Sequence, residues 1–117
     1  LVTVTPDLAI SFIGLDDARV LSTPNMILCM ERVSRNTLFP CLAPGYDSVG
    51  TKVNVSHLKA APIGAKVTFT TEITSFNDKR VEFYVTARTE SELVGEGAHE
   101  RAIIDTVRFA KGLAAKT

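Results

Sequence analysis

An excess of charge of one sign, long apolar runs and metal-ligand clusters are all missing from this sequence, and each absence removes a class of function. Thirteen Lys and Arg balance thirteen Asp and Glu, so the formal net charge is +0 and the pI about 6.9. Such a surface is a poor match for a phosphate backbone, which sets nucleic-acid binding aside. No apolar run approaches the ~20 residues of a membrane-crossing helix. No charged stretch leads into an apolar one as in a secretory signal. The expectation is a cytoplasmic chain with no membrane partner. Only two cysteines and two histidines are present. Cys29 and Cys41 are not spaced as metal ligands and read as free thiols of a reducing compartment. Together with His57 and His99 they do not make a three-ligand site with an open position, so no metal is expected. Phosphate-binding loops, Ser/His/Asp motifs, internal repeats and linkers are also missing. What is there is globular: 117 residues, 45% hydrophobic and 22% charged, fit one domain, 1–117, with one core.

The chain is organised around residues 23–39. Thr23 reads as an N-cap, its hydroxyl accepting from a free N–H of the first turn, and Pro24 has no N–H to leave unpaired there. Met26, Ile27, Met30, Val33, Thr37 and Leu38 recur at about 100° per residue, the period of a helix with one buried face. Pro40 ends it and is expected to push Phe39 out of the α region. Glu31 lies at the edge of that apolar stripe. A carboxylate there is paired, raised in pKa or chemically used, and Arg35, four residues on, is a possible helix-surface partner.

Around the helix the pattern is mostly of period two. Leu1–Thr5 reads as a first short strand, Leu8–Ile13 as a second apolar run, and 16–22 as a polar approach to the helix. Pro44, Gly45 and Asp47 form a turn. From Val49 onward, Val49, Thr51, Val53, Val55 and His57 share one strand face. Ala61-Pro62-Ile63-Gly64 suits a type I turn. Val67, Phe69, Thr71 and Ile73 line the next strand, and Asn77-Asp78-Lys79 reads as a hairpin. Val81, Phe83, Val85 and Ala87 face inward on the strand after it, and Glu90-Ser91-Glu92 turns the chain again. Leu93–Asp105 is the last strand, with Gly95 and Gly97 marking a bulge or close approach. Thr106–Ala115 reads as a terminal helix docked by Phe109 and Leu113. Three tight junctions imply a mainly antiparallel sheet, hence an α+β fold in which the sheet wraps the helix and leaves an edge in need of a partner.

One by one, the polar candidates have plain structural readings. His57 closes a strand. His99 lies in Gly97-Ala98-His99-Glu100-Arg101, which reads equally as a solvated strand face with cross-strand ion pairs. Gly50 relieves strain near a turn.

Together they resemble the hot-dog-fold thioesterases of the fluoroacetyl-CoA thioesterase-like family, from about Val20 to Phe109. The resemblance rests on Thr23-Pro24 followed by Met30-Glu31, on Val49-Gly50-Thr51 with His57 seven residues after the glycine, on Ala61-Pro62-x-Gly64, and on Gly95-x-Gly97-x-His99-Glu100-Arg101. It implies an antiparallel sheet around a central helix and dimers pairing their sheets edge to edge, with dimer versus tetramer left open. It implies hydrolysis of an acyl-CoA thioester with no cofactor, coenzyme A being part of the substrate. The family's catalytic threonine, glutamate and histidine fall on Thr23, Glu31 and His57, and its substrate-side positions on Gly50, His99 and Arg101. Residue types fit: a thioester carbonyl needs a base or nucleophile and donors for the developing oxyanion. The family's phenylalanine lid before the helix has no counterpart in residues 15–22, so poor discrimination between acetyl-CoA and fluoroacetyl-CoA is expected. The alternatives are a non-catalytic hot-dog protein binding an acyl-CoA or another small ligand, and a purely structural domain.

Thr23 and Glu31 are eight residues apart, about 12 Å along a helix axis. Both cannot touch one thioester from a single straight helix. Either Thr23 lies on a segment that folds back before the helix, or the helix start of one subunit faces Glu31 of another. Pro24 favours the second.

Overall fold

The computed structural model describes residues 1–11, 13–15 and 18–117. The expected helix is present as α1, Thr23–Leu38, but Ser22 rather than Thr23 caps it, accepting from the N–H of Asn25. Thr23 is the first helical residue, and its hydroxyl is free for another partner. Phe39 stays in the α region (φ −53°, ψ −45°). Pro40 is accommodated in the first turn of a 3₁₀ segment, Phe39–Cys41, where a missing N–H costs nothing. The buried stripe is Met26, Cys29, Met30, Ser34 and Leu38. Ile27 and Val33 are half-buried and Thr37 is exposed, so the face is rotated slightly from the apolar count. Ser34 tolerates burial because its hydroxyl meets the Met30 carbonyl and the Thr71 hydroxyl, both at 2.9 Å.

Among the described residues the strands β1 (Val2–Thr3), β2 (Tyr46–His57), β3 (Lys66–Asn77), β4 (Arg80–Arg88) and β5 (Leu93–Asp105) form one antiparallel sheet in the order β1-β3-β4-β5-β2. β1 is shorter than expected and leads into a 3₁₀ turn, Pro6–Leu8, where the second apolar run was expected to begin. That run includes position 12, and the polar approach includes 16 and 17, outside the described residues. Val20 and Leu21 each make a bridge, to Pro62 and Ala9.

Two of the three expected hairpins are real, β3–β4 and β4–β5. The β2–β3 junction is not a hairpin, because β2 pairs with β5 and lies on the far side of the sheet from β3. The turn there is one residue later than expected. Ala65 N–H donates to the Pro62 carbonyl, and Gly64 at the third position has φ +93°, as a type II turn demands.

β2 begins at Tyr46, and its register with β5 shifts between Gly50 and Lys52. Thr51 is the extra residue of a bulge, so the alternation changes phase there. Val53, Val55 and His57 share the helix-side face with their β5 partners, as expected. Before the bulge the inward residues are Ser48 and Gly50, not Val49 and Thr51, because Gly50 stands opposite buried Arg101. Val67, Phe69, Val81, Phe83, Val85 and Ala87 fill the sheet side of the core against Met26, Cys29 and Met30. Gly95 and Gly97 are close-approach glycines: a Cβ at Gly95 meets Met26 Sδ at 2.6 Å, and one at Gly97 meets the Asn54 carbonyl at 2.3 Å.

The terminal helix α2 (Thr106–Ala114) is capped by Asp105 and has no buried residue. Phe109 and Leu113 share a face as expected, but both remain exposed, and Phe109 reaches only the margin of a groove with Tyr46 and Ile103.

Candidate active site

The sequence candidates fall into two clusters at opposite ends of β2. At the helix start, Thr23 Oγ1 and His57 Nδ1 are 2.8 Å apart. The freed hydroxyl of Thr23 and the last residue of β2 therefore make a pair, on a surface groove that also includes Ile10, Val20, Lys59 and Ala60. Burial pushes the His57 imidazole below its usual pKa, and the nearby Lys59 backbone offsets part of this. A neutral ring at pH 7 follows. Its Nε2 is enclosed and has no hydrogen-bond partner among the described residues.

The second cluster is centred on Glu31. Its expected partner Arg35 is taken: the guanidinium bonds both oxygens of Asp47 (3.1 and 2.7 Å) and lies over the Phe39 ring at 4.2 Å. That pairing holds the Asp47 carboxyl below its ordinary pKa. Glu31 faces Arg101 instead, Oε2 to Nη1 3.9 Å, too long for a hydrogen bond. Gly50 completes the approach. A Cβ there would lie 3.1 Å from Glu31 Oε2 and 3.3 Å from His99 Cε1, so the bare glycine backbone borders the carboxylate.

The His-Glu-Arg segment of β5 splits across the sheet. Glu100 points outward, bonded to Thr51 and to Arg80, as the solvated-face reading expects. His99 and Arg101 point inward and are 2% and 6% exposed. Arg101 Nε donates to Ser48 Oγ (2.7 Å), Nη2 to the Ser48 carbonyl (2.9 Å) and Nη1 to His99 Nε2 (3.3 Å). His99 Nδ1 lies 2.9 Å from the Lys52 carbonyl, which can only accept. The ring is therefore the neutral Nδ1–H tautomer, consistent with burial pushing its pKa down. Ser48 was missed in the sequence because the bulge that turns it inward leaves no mark in the alternation pattern.

Among the described residues no hydrogen bond or ion pair joins Glu31 to His57 or Thr23, and no group of three or more His, Cys, Asp or Glu could hold a metal ion. Because α1 begins at Thr23, the alternative in which Thr23 folds back ahead of the helix is removed. Gly50 and His57, seven residues apart, stand roughly 20 Å from each other along β2, at ~3.3 Å per residue with one lost to the bulge. Both cysteines are free, Cys29 buried and Cys41 exposed.

An antiparallel sheet packed on one long helix, with polar clusters at both ends of the edge strand, places the chain in the hot-dog class of α+β proteins. A hot-dog-like protein from Thermanaerovibrio acidaminovorans, 23% identical, superposes with a TM-score of 0.90 over 98% of this chain and 85% of that one. The profile of the fluoroacetyl-CoA-specific thioesterase family matches residues 4–107. The fluoroacetyl-CoA thioesterase of Streptantibioticus cattleyicolor is 36% identical over 98 residues, 84% of this chain and 70% of that protein. The solved fluoroacetyl-CoA thioesterase FlK is 31% identical with a TM-score of 0.89, covering 99% of this chain and 90% of that one. The chain belongs to the fluoroacetyl-CoA-specific thioesterase family.

Proposed function

We propose that the protein hydrolyses small acyl-CoA thioesters to the free acid and coenzyme A, with Glu31 as general base or nucleophile assisted by His57 and Thr23. The family supports a thioester hydrolase, and a FlK variant is solved in complex with fluoroacetate and CoA. The observation that carries the assignment of residues is the setting of Glu31: a carboxylate 38% exposed, with no hydrogen bond among the described residues, between a bare glycine backbone and a fixed guanidinium. Gly50 and Arg101 border the acyl group, with His99 behind Arg101.

As general base, Glu31 takes a proton from water whose oxygen attacks the thioester carbon. The oxyanion is met by the helix start, where the Thr23 N–H and the positive end of the dipole favour negative charge. When His57 Nδ1–H donates to Thr23 Oγ1, the threonine hydroxyl proton is left to meet the thioester oxygen, and the C–S bond then breaks. The proton held by Glu31 returns to the departing thiolate, which leaves as the thiol. If Glu31 attacks directly, the C–S bond breaks as the acyl-enzyme anhydride forms and thiolate departs; water then hydrolyses the anhydride, restoring the carboxylate, and the proton released with the acid ends on the thiolate.

Such a site needs both clusters at one thioester, which a homodimer supplies. Among the described residues β2 has one unpaired edge. Antiparallel pairing of two β2 strands about a two-fold axis near Lys52 and Val53 brings the helix start and His57 of one protomer beside Ser48 and Val49 of the partner subunit, where the partner's Glu31 lies. Each dimer then holds two pockets, each with Thr23 and His57 from one chain and Glu31 from the other.

The test is thiol release over a panel of acetyl-, fluoroacetyl-, branched and aromatic acyl-CoAs. Turnover of at least one small acyl-CoA is expected, with a fluoroacetyl-to-acetyl ratio below about a hundredfold, since residues 15–22 carry no aromatic lid. Tight binding of acyl-CoA without turnover of any member would make this a binding protein and overturn the proposal.

A further inference from the structure

Ser48 and His99 are buried polar side chains on different strands, and both accept hydrogen bonds from one guanidinium. Arg101 is held along two directions by Ser48, through the hydroxyl and the carbonyl of the same residue, and along a third by His99 Nε2. His99 is itself locked. Its Nδ1–H is bonded to the Lys52 carbonyl across the bulge, and its ring stacks on Phe83 with centroids 5.9 Å apart and planes inclined by 27°. The ring cannot rotate to offer an N–H to Arg101 without leaving both contacts. The guanidinium is thus fixed in plane and in distance, with Nη1 toward Glu31 Oε2 at 3.9 Å. Neither Ser48 nor His99 reaches that carboxylate by a hydrogen bond.

We propose that Ser48 and His99 are positioning residues of the Glu31 cluster: they hold Arg101 so that its charge stays directed at the Glu31 carboxylate, and they act on hydrolysis only through it. This deepens the reading of Glu31 as the reacting carboxylate. The bulge at Thr51 belongs to the same device, since it turns Ser48 inward and brings the Lys52 carbonyl over His99. A neutral, Nδ1-protonated imidazole is required, because an imidazolium or the other tautomer has no lone pair at Nε2 for Arg101.

The experiment compares Ser48→Ala, Ser48→Thr, His99→Leu and His99→Gln with the wild type in steady-state thiol release. A displacement of a reacting group by about 1 Å costs on the order of a hundredfold. Ser48→Ala and His99→Leu are therefore expected to lower kcat by about ten- to a hundredfold with KM changed less than about threefold. Ser48→Thr keeps the hydroxyl and His99→Gln keeps an acceptor at the Nε2 position, so both recover most of kcat. Wild-type kcat in folded Ser48→Ala, or equal losses in the matched pairs, overturns the proposal. A second measurement does not depend on turnover: long-range ¹H–¹⁵N spectra of the wild type at pH 7 place the His99 proton on Nδ1 and leave Nε2 unprotonated. Protonated Nε2 overturns the clamp even if every variant fails to fold. A wild type without turnover of any acyl-CoA defeats the hydrolase reading, while the tautomer still decides the clamp.

Discussion

Mixing a Glu31→Gln chain with a His57→Ala chain is expected to restore hydrolysis that neither possesses alone. Each substitution is mild for the fold. Among the described residues Glu31 makes no hydrogen bond and a single ion pair, which at 3.9 Å is partly open to solvent and contributes little. His57 is half-buried with one unsatisfied nitrogen. Loss of a general base or of its assisting imidazole removes about 10²–10⁴ in rate, so each homodimer should be nearly silent. Within one chain the two clusters are held apart by about 12 Å of helix axis and roughly 20 Å of strand. No side chain spans that. In a two-fold dimer the defects segregate: a mixed dimer has one pocket with both substitutions and one with neither. At equal mixing and full exchange half the dimers are mixed, so about a quarter of the wild-type rate per chain returns. The assay is thiol release after exchange of subunits, with mixed dimers counted by native mass spectrometry. Mixed dimers present at the expected fraction, with activity no higher than the two homodimers together, would refute the reasoning, as would a wild type that is monomeric while active.

Gly95→Ala is expected to destabilise the fold by about 1–3 kcal/mol through overpacking, because its Cβ meets Met26 Sδ at 2.6 Å and the Ser56 carbonyl at 3.0 Å, and only the methionine can move aside. A thermal melt should show a loss of several degrees, at about 4–8 °C per kcal/mol for a chain near this size; an unchanged Tm contradicts the packing account. Hydrolysis should survive dialysis against a chelator, since the described residues gather no cluster of three ligating side chains. Activity lost to the chelator and restored by one divalent metal would show otherwise.

The long helix, the four principal strands and their antiparallel pairing were legible because apolar spacing reports burial, and burial is what these elements share. The exchange between Ser22 and Thr23 was not. Two adjacent hydroxyl residues before a proline are equally good caps by propensity, and only His57, thirty-four residues on, decides which is left free. The partner of Glu31 was left open for a similar reason: a helix-spaced arginine is visible in sequence, but Asp47 competes for it through the fold. The false β2–β3 hairpin shows the same limit, since a tight turn ends a strand without stating which neighbour it pairs with. His99 and Arg101 were singled out by family resemblance, whereas their burial, and the service of Ser48, depend on the register of β2 against β5.

The single extra residue at Thr51 also divides β2 into two segments that can change independently. Residues after it present His57 to the helix start; residues before it present Gly50 to Glu31 and Ser48 to Arg101. Loss of that residue would invert the earlier segment, turning Val49 inward and exposing Ser48, while leaving the later one in place. One strand thus carries two addresses separated by a comma, and the side chains at either can drift without rewriting the other.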